Sequence, residues 1–346
     1  MGTEAIFSKT SSIPSIDVII PFHLIHQYLR EAIASALDSY GVKAKVILVD
    51  DSNEKYPSWL QEISNNENVQ IIRNLEKGYL GALETGVLHS KSEYVGFLDS
   101  DDLTDRFRFY NQICYMRKFN IQICSSKISR IDKSGRILRN QGLLGSQFYS
   151  LPPRIRLLFG AYGADSTLVL SGKLVRKSWH THREFPPQFA DYGFLLNAIM
   201  NHSFGNCPEG IYYYRTHNFQ MSRGETFLDD WEMVFPFWAK LITNLGQLLP
   251  RTSRLTINSN VAVALAFPSL LPKLTLLEIK VLQETVKSLV DDLEAVSTLS
   301  VQDYYAIQLR LLIASRGRIP SMWRWLPLLL WRVLKQKTSG INPRRN

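Results

Sequence analysis

Cysteine is scarce in this chain of 346 residues. Cys114, Cys124 and Cys207 are odd in number and lack the close paired spacing of a zinc site, which excludes a disulfide framework and a structural metal knuckle. That usage fits a reducing, cytoplasmic compartment. No run of about 18 apolar residues occurs, so no segment is expected to span a bilayer. The opening MGTEAIFSKTSSIPS has no apolar core of signal-peptide length. Internal repeats and low-complexity tracts are also missing. So are the glycine-rich phosphate loops: the first apolar run ends in Pro21-Phe22-His23 instead of a G-x-G-x-x-G turn, and no GxxxxGK[ST] segment follows. A phosphorylated ligand would then have to be held by side chains and a cation.

What is present is a chain that can bury a core, with 45% hydrophobic and 21% charged residues. Its length predicts one catalytic domain over residues 1–225 and a helical region over 226–346. The net charge of +9 is unevenly spread, because residues 316–346 hold eight Lys or Arg and no acid while the rest is nearly balanced. A nucleic-acid partner calls for a basic face in the folded body, so none is expected.

The first hundred residues alternate between strand and helix patterns. Apolar runs at Ile16–Ile20, Lys45–Val49, Val69–Ile72 and Tyr94–Leu98 read as strands. Gln27–Tyr40, Trp59–Ile63, Gly81–Ser90 and Arg106–Phe119 read as helices. That order predicts a mostly parallel α/β sheet covered on both faces. Short strands near Ile121–Ser125, Thr167–Leu170 and Ile211–Tyr214 and a helix over Asp191–Met200 follow. Beyond Phe227 helical periods dominate, as in Ile279, Leu282, Val286 and Leu289.

Two strands end in acids: Val46–Val49 delivers Asp50 and Asp51, and Tyr94–Leu98 delivers Asp99, Ser100, Asp101 and Asp102. Ligands in open α/β sheets bind at such strand ends. Carboxylates crowded there repel one another unless a hard divalent cation neutralises them, which makes Asp99, Asp101 and Asp102 candidate ligands for Mn2+ or Mg2+. The plainer reading is a helix-capping turn before Arg106, for which one Asp suffices; for Asp50 and Asp51 it is a solvated turn. Lys77, between a strand and a Gly-bearing turn, is a phosphate-contact candidate or simply a solvated loop lysine.

Taken in order, Ile19-Ile20-Pro21, Val49-Asp50-Asp51-Ser52, Phe97-Leu98-Asp99-Ser100-Asp101-Asp102, and Tyr214-Arg215-Thr216-His217 with Met221-Ser222 resemble the landmarks of glycosyltransferase family 2 over roughly residues 15–225. The resemblance implies a GT-A fold and inverting, metal-dependent transfer from a nucleotide-sugar donor, a UDP-sugar foremost, to a glycan or lipid-linked acceptor. It implies that Pro21 lines the base pocket, that Asp50 and Asp51 sit with the donor, Asp51 on uracil or ribose, and that Asp99, Asp101 and Asp102 meet ribose and the metal-diphosphate. Arg215 and His217 would touch the diphosphate. Asp191, in Phe189-Ala190-Asp191-Tyr192, falls at the general base, although Ala190 stands where the family has Glu. Leu83 and Glu84 depart from the family's Ala-Arg-Asn-x-Gly stretch. Two other readings remain: a nucleotidyltransferase on a similar sheet, or a non-catalytic, membrane-recruited partner of a transferase.

Trp323, Trp325 and Trp331 interleave with leucines and with Arg324, Arg332, Lys335 and Lys337. Rings and cations on a short apolar stretch suit the surface of an anionic bilayer, which points to peripheral contact through residues 320–337 at the inner face of the membrane. A core-packing helix with a solvated basic end is the plainer account.

Overall fold

The computed structural model describes residues 12–138, 151, 153–159, 165–179, 190–217, 227–245, 249, 257–266, 274–295 and 307. The chain divides into two compact units, Met1–Gln141 with Tyr162–Glu225, and Gly142–Ala161 with Thr226–Asn346.

The first unit is built on an eight-stranded sheet. Strands β1 (Ser15–Phe22), β2 (Lys43–Asp50), β3 (Val69–Arg73) and β4 (Tyr94–Phe97) alternate with helices α1 (Gln27–Leu37), α2 (Ser58–Ser64) and α3 (Tyr79–His89). They pair in parallel in the order β3-β2-β1-β4, as the alternating apolar pattern requires. Strand β1 lies between two neighbours and buries Ile16, Val18, Ile19 and Ile20 completely. Val18 and Ile20 pack with Leu29, Ala32, Ile33 and Ala36 of α1 on one face. On the other, Gly86 lets α3 approach, since a Cβ there would stand 2.4 Å from Ile19 Cγ2.

Beyond β4 the sheet becomes mixed. It continues with β5 (Leu103–Thr104), α4 (Arg108–Phe119), β6 (Ile123–Ile131), β7 (Leu168–Ser171), α6 (Gly172–Ser178), α7 (Ala190–Asn201) and β8 (Phe204–Arg215); α5 (Pro153–Leu158) belongs to the second unit. Strand β7 is antiparallel to β4 and β6, β8 is parallel to β6, and β5 is antiparallel to β8 at the edge. Strands β6 and β8 are longer than their sequence patterns predict. In β8 the register jumps from Ser126↔Cys207 to Lys127↔Ile211, and the skipped residues include Pro208 and Gly210. Proline cannot donate to a ladder and is tolerated at such a bulge, which is why the apolar run starts only at Ile211.

The second unit, taken by itself, packs α5, α8 (Phe227–Leu245), α9 (Ser259–Ala266) and α10 (Leu276–Ala295) together. Trp231 and Trp238 are buried, and Trp231 Nε1 donates to the Ser259 carbonyl at 3.2 Å. Thr275 and Glu278 form a capping box at the start of α10: Glu278 N donates to Thr275 Oγ1 at 3.2 Å, and Thr275 N to Glu278 Oε2 at 2.8 Å. Among the described residues, no helix is long and apolar enough to cross a membrane. Residues 320–337 lie outside the described residues.

Candidate active site

The parallel half of the sheet carries its acids where β2 and β4 end. Asp51 follows β2, with its N–H bonded to the Phe22 carbonyl at 2.8 Å. Its Oδ1 accepts from Asn74 Nδ2 at 2.9 Å and its Oδ2 from the Gly78 N–H at 3.0 Å. Gly78 reaches this place with φ 95°, a left-handed conformation that glycine adopts without steric cost, and α3 begins at the next residue. Pro21, Phe22, His23, Asp51, Gly78, Tyr79 and Ala82 enclose a cavity of about 250 Å3. Pro21 and Asp51 thus meet at one cavity. Lys77 is exposed and only precedes Gly78 in the chain; it does not line this cavity.

Asp50 is elsewhere. It is fully buried: Oδ1 accepts from Ser52 N at 2.8 Å and Ser52 Oγ at 2.7 Å, and Oδ2 accepts from Tyr56 Oη at 2.7 Å and pairs with Arg73. Burial pushes its carboxyl up, but the bonds from Ser52, Tyr56 and Arg73 outweigh it and hold the group below the ordinary carboxylate range. With both oxygens engaged inside the fold, Asp50 is a strut under the β2 end.

Asp99, Ser100, Asp101 and Asp102 turn out of β4 and lead into β5, which pairs with β8 (Thr104↔Tyr212, Leu103↔Tyr213). That pairing brings Tyr212 beneath the turn. The Tyr212 hydroxyl lies 3.2 Å from Asp99 Oδ2 and hydrogen bonds to Asp102 Oδ2. From α3, Tyr79 donates its hydroxyl to Asp99 Oδ1 at 3.2 Å. Burial and then the charge of Asp101 push the Asp99 carboxyl up to about 6; Asp102, buried and facing both other acids, is raised well above its ordinary value.

Arg215, at the end of β8, is fully buried beneath the same turn. Its main-chain N–H donates to Asp102 Oδ1 at 2.6 Å, its Nε to the Asp101 carbonyl at 2.7 Å, its Nη1 to the Lys133 carbonyl at 3.2 Å and its Nη2 to Glu31 Oε2 at 2.7 Å. The guanidinium also lies 4.3 Å from the centre of the Tyr28 ring. Arg215 therefore fixes the turn from below.

His217 does face the acids, with Nε2 2.7 Å from Asp101 Oδ2, and it lies against Tyr28 at 5.4 Å between ring centres. Asp102 is committed to Tyr212 and Arg215, and among the described residues no group of three or more His, Cys, Asp or Glu side chains is placed to hold a metal ion. Asp99, Asp101 and Asp102 thus share one turn without forming such a group. Asp191 lies in the first turn of α7; its side chain is outside the described residues, as are Met221 and Ser222.

Three participants left no signal that could be read in the sequence. Tyr212 and Tyr79 sit in ordinary apolar stretches. Arg108, in α4, is fully buried: its Nη2 donates to the Ser166 carbonyl at 2.7 Å, and its guanidinium lies 5.0 Å from the Tyr212 ring centre. Burial brings its pKa down to about 10.

Residues 17–183 match the family model described as Glycosyl transferase family 2. This segment belongs to glycosyltransferase family 2. Among curated proteins, the chain is 26% identical over 126 residues to an uncharacterized glycosyltransferase of Rickettsia bellii, covering 36% of this chain and 18% of that protein. It is 25% identical over 99 residues to the uncharacterized glycosyltransferase EpsJ of Bacillus subtilis, covering 28% of this chain and 29% of that one. The chain thus spans under a third of the length of these relatives. Among solved structures it is similar to S. aureus TarS 1-349 in complex with UDP-GlcNAc, with 17% identity, coverage of 96% and 94% of the two chains, and a TM-score of 0.52. The shared fold is GT-A.

Proposed function

We propose that this family 2 chain transfers a sugar from a UDP-sugar to a hydroxyl of a glycan or lipid-linked acceptor, with inversion at the anomeric carbon and with help from Mn2+ or Mg2+. The observation that carries this reading is the continuity of the site. A cavity containing Pro21 and Asp51 is joined through Tyr79 to Asp99, and Asp99 shares its turn with the Asp101–His217 pair. The cavity has apolar walls and one carboxylate, held by Asn74 and Gly78, that can accept the N–H of a uracil. S. aureus TarS, similar in fold, has been solved with UDP-GlcNAc, which favours a uridine nucleotide.

Asp101 and His217 fit a divalent cation. An imidazole and a carboxylate, 2.7 Å apart between His217 Nε2 and Asp101 Oδ2, would hold it. Diphosphate oxygens and water would complete the set. When bound, the ion supplies charge that offsets the departing diphosphate. Asp99 orients the ribose, and Asp101 and His217 hold the diphosphate end of the donor. Asp191 takes the acceptor hydroxyl proton as that oxygen bonds to the anomeric carbon and the carbon–oxygen bond to the diphosphate breaks, its electron pair leaving on UDP. The chain acts in the cytoplasm, with residues 320–337 as a peripheral contact to the inner face of the membrane; liposome co-sedimentation of the full chain against one ending at Pro320 tests that contact.

The assay is release of UDP from a panel of UDP-sugars with Mn2+. Turnover of at least one donor, lost in Asp101→Asn, supports the reading. No UDP binding and no turnover with any donor would overturn it.

A further inference from the structure

We infer that Tyr79 is a positioning residue of the donor site, one that couples occupancy of the base cavity to the orientation of Asp99 against the ribose. The inference rests on the proposed uridine-nucleotide reading and goes beyond it by assigning a role to a residue that no sequence landmark contains.

Tyr79 is the first residue of α3 and follows Gly78, whose N–H holds Asp51. It lines the base cavity together with Ala82. Residues i and i+3 share a helix face, so the same face of α3 presents both. One turn further on, Leu83 is fully buried, so the position where the family carries Arg offers no polar group to a donor. The polar reach from this part of α3 toward the acids comes from the Tyr79 hydroxyl, which donates to Asp99 Oδ1 at 3.2 Å, while Tyr212 sits at the same distance from Oδ2. Two phenols, one from α3 and one from β8, therefore set the plane of a single carboxylate. Of the two, Tyr79 alone also forms a wall of the cavity, so a base packed against its ring and a ribose bonded to Asp99 are held in one register.

The test separates ring from hydroxyl and base from ribose. Binding of UDP and of 2′,3′-dideoxyuridine diphosphate, with Mn2+, is measured by calorimetry on the full chain and on Tyr79→Phe and Tyr79→Leu. Loss of one hydrogen bond to a carboxylate predicts about a tenfold weaker UDP affinity in Tyr79→Phe and an unchanged affinity for the dideoxy ligand. Tyr79→Leu, which removes the wall, should weaken both. A general loss of structure would lower both affinities in Tyr79→Phe alike, so equal weakening contradicts the inference, as does wild-type affinity for UDP. If the unaltered chain binds neither ligand, the donor reading fails and the role of Tyr79 falls with it; if it binds UDP normally and only the Tyr79→Phe pattern is missing, the inference alone is overturned.

Discussion

The main-chain N–H of Arg215 donates to Asp102 Oδ1 at 2.6 Å, so the last residue of β8 holds the acidic turn after β4 by its backbone as well as its side chain. Arg215→Lys keeps the charge but cannot reproduce the fork that serves the Asp101 and Lys133 carbonyls and Glu31 together. Leaving those groups unpaired is expected to cost about 2–3 kcal/mol, the low end for a buried pair because Glu31 is half exposed. Urea denaturation measures this, and a wild-type midpoint would contradict the structural role. UDP affinity should fall through displacement of Asp101, and falls less in Arg215→Lys than in Asp101→Asn.

Asp50 and Asp51 are adjacent in sequence and opposite in role. Asp50→Asn leaves Arg73 without its carboxylate partner and disturbs the bonds from Ser52 and Tyr56, at about 1–3 kcal/mol of stability. Asp51→Asn replaces an acceptor in the base cavity and should weaken UDP binding with little change in melting temperature. Denaturation and calorimetry on both variants check the split; a reversal of the two effects would refute it.

Acid should loosen the second unit through Glu278. Its carboxylate accepts from Thr275 N and Oγ1, Asn258 and Asn260, and although burial opposes them these bonds bring its pKa to about 2 from the usual 4.5. A depressed folded-state pKa contributes stability that is present above about pH 4.5 and is lost as pH falls toward 2. Glu278→Gln should flatten that part of the stability–pH curve. Unchanged steepness between pH 5 and 2 would show that Glu278 does not titrate in this way.

The parallel half of the sheet was legible because β1, β2 and β4 are apolar runs, the last two closed by acids, and helices with a period near 3.6 separate them. The sequence pattern shortens β6 and β8 because Ser126, Lys127 and Ser129 interrupt one and Pro208 breaks the other, although the two strands pair with each other from Ile123↔Phe204 to Ile131↔Arg215 across the bulge. In the site, Asp51, Asp99 and Asp101 were visible as acids at strand ends. The burial of Arg215 under the turn was not legible, since a guanidinium beside a diphosphate and one buried under a turn look identical in sequence; its partner Glu31 lies 184 positions away. Tyr212 could not be singled out because its relation to Asp99 and Asp102 exists only once β5 has paired with β8 at the sheet edge.

Asp191 stands in the first turn of α7, and the role proposed for it as base places it on the acceptor and not on the donor. Asp191→Asn should lower kcat about a hundredfold or more while UDP affinity stays within about twofold of wild type. Steady-state kinetics with calorimetry distinguishes this from a donor contact, for which UDP affinity would fall as well.

Thermal stabilisation by UDP with and without Mn2+, in the wild type and in Asp101→Asn, reads the cation-assisted diphosphate site most directly. Ligand at about a hundred times Kd stabilises the native state by about 2.7 kcal/mol, so the wild type should melt measurably higher with UDP and higher still when Mn2+ is added. Asp101→Asn should keep the metal-independent part, which belongs to the Asp51 cavity, and lose the Mn2+ increment. An equal Mn2+ increment in both proteins, or no response of the wild type to UDP at all, would contradict the account.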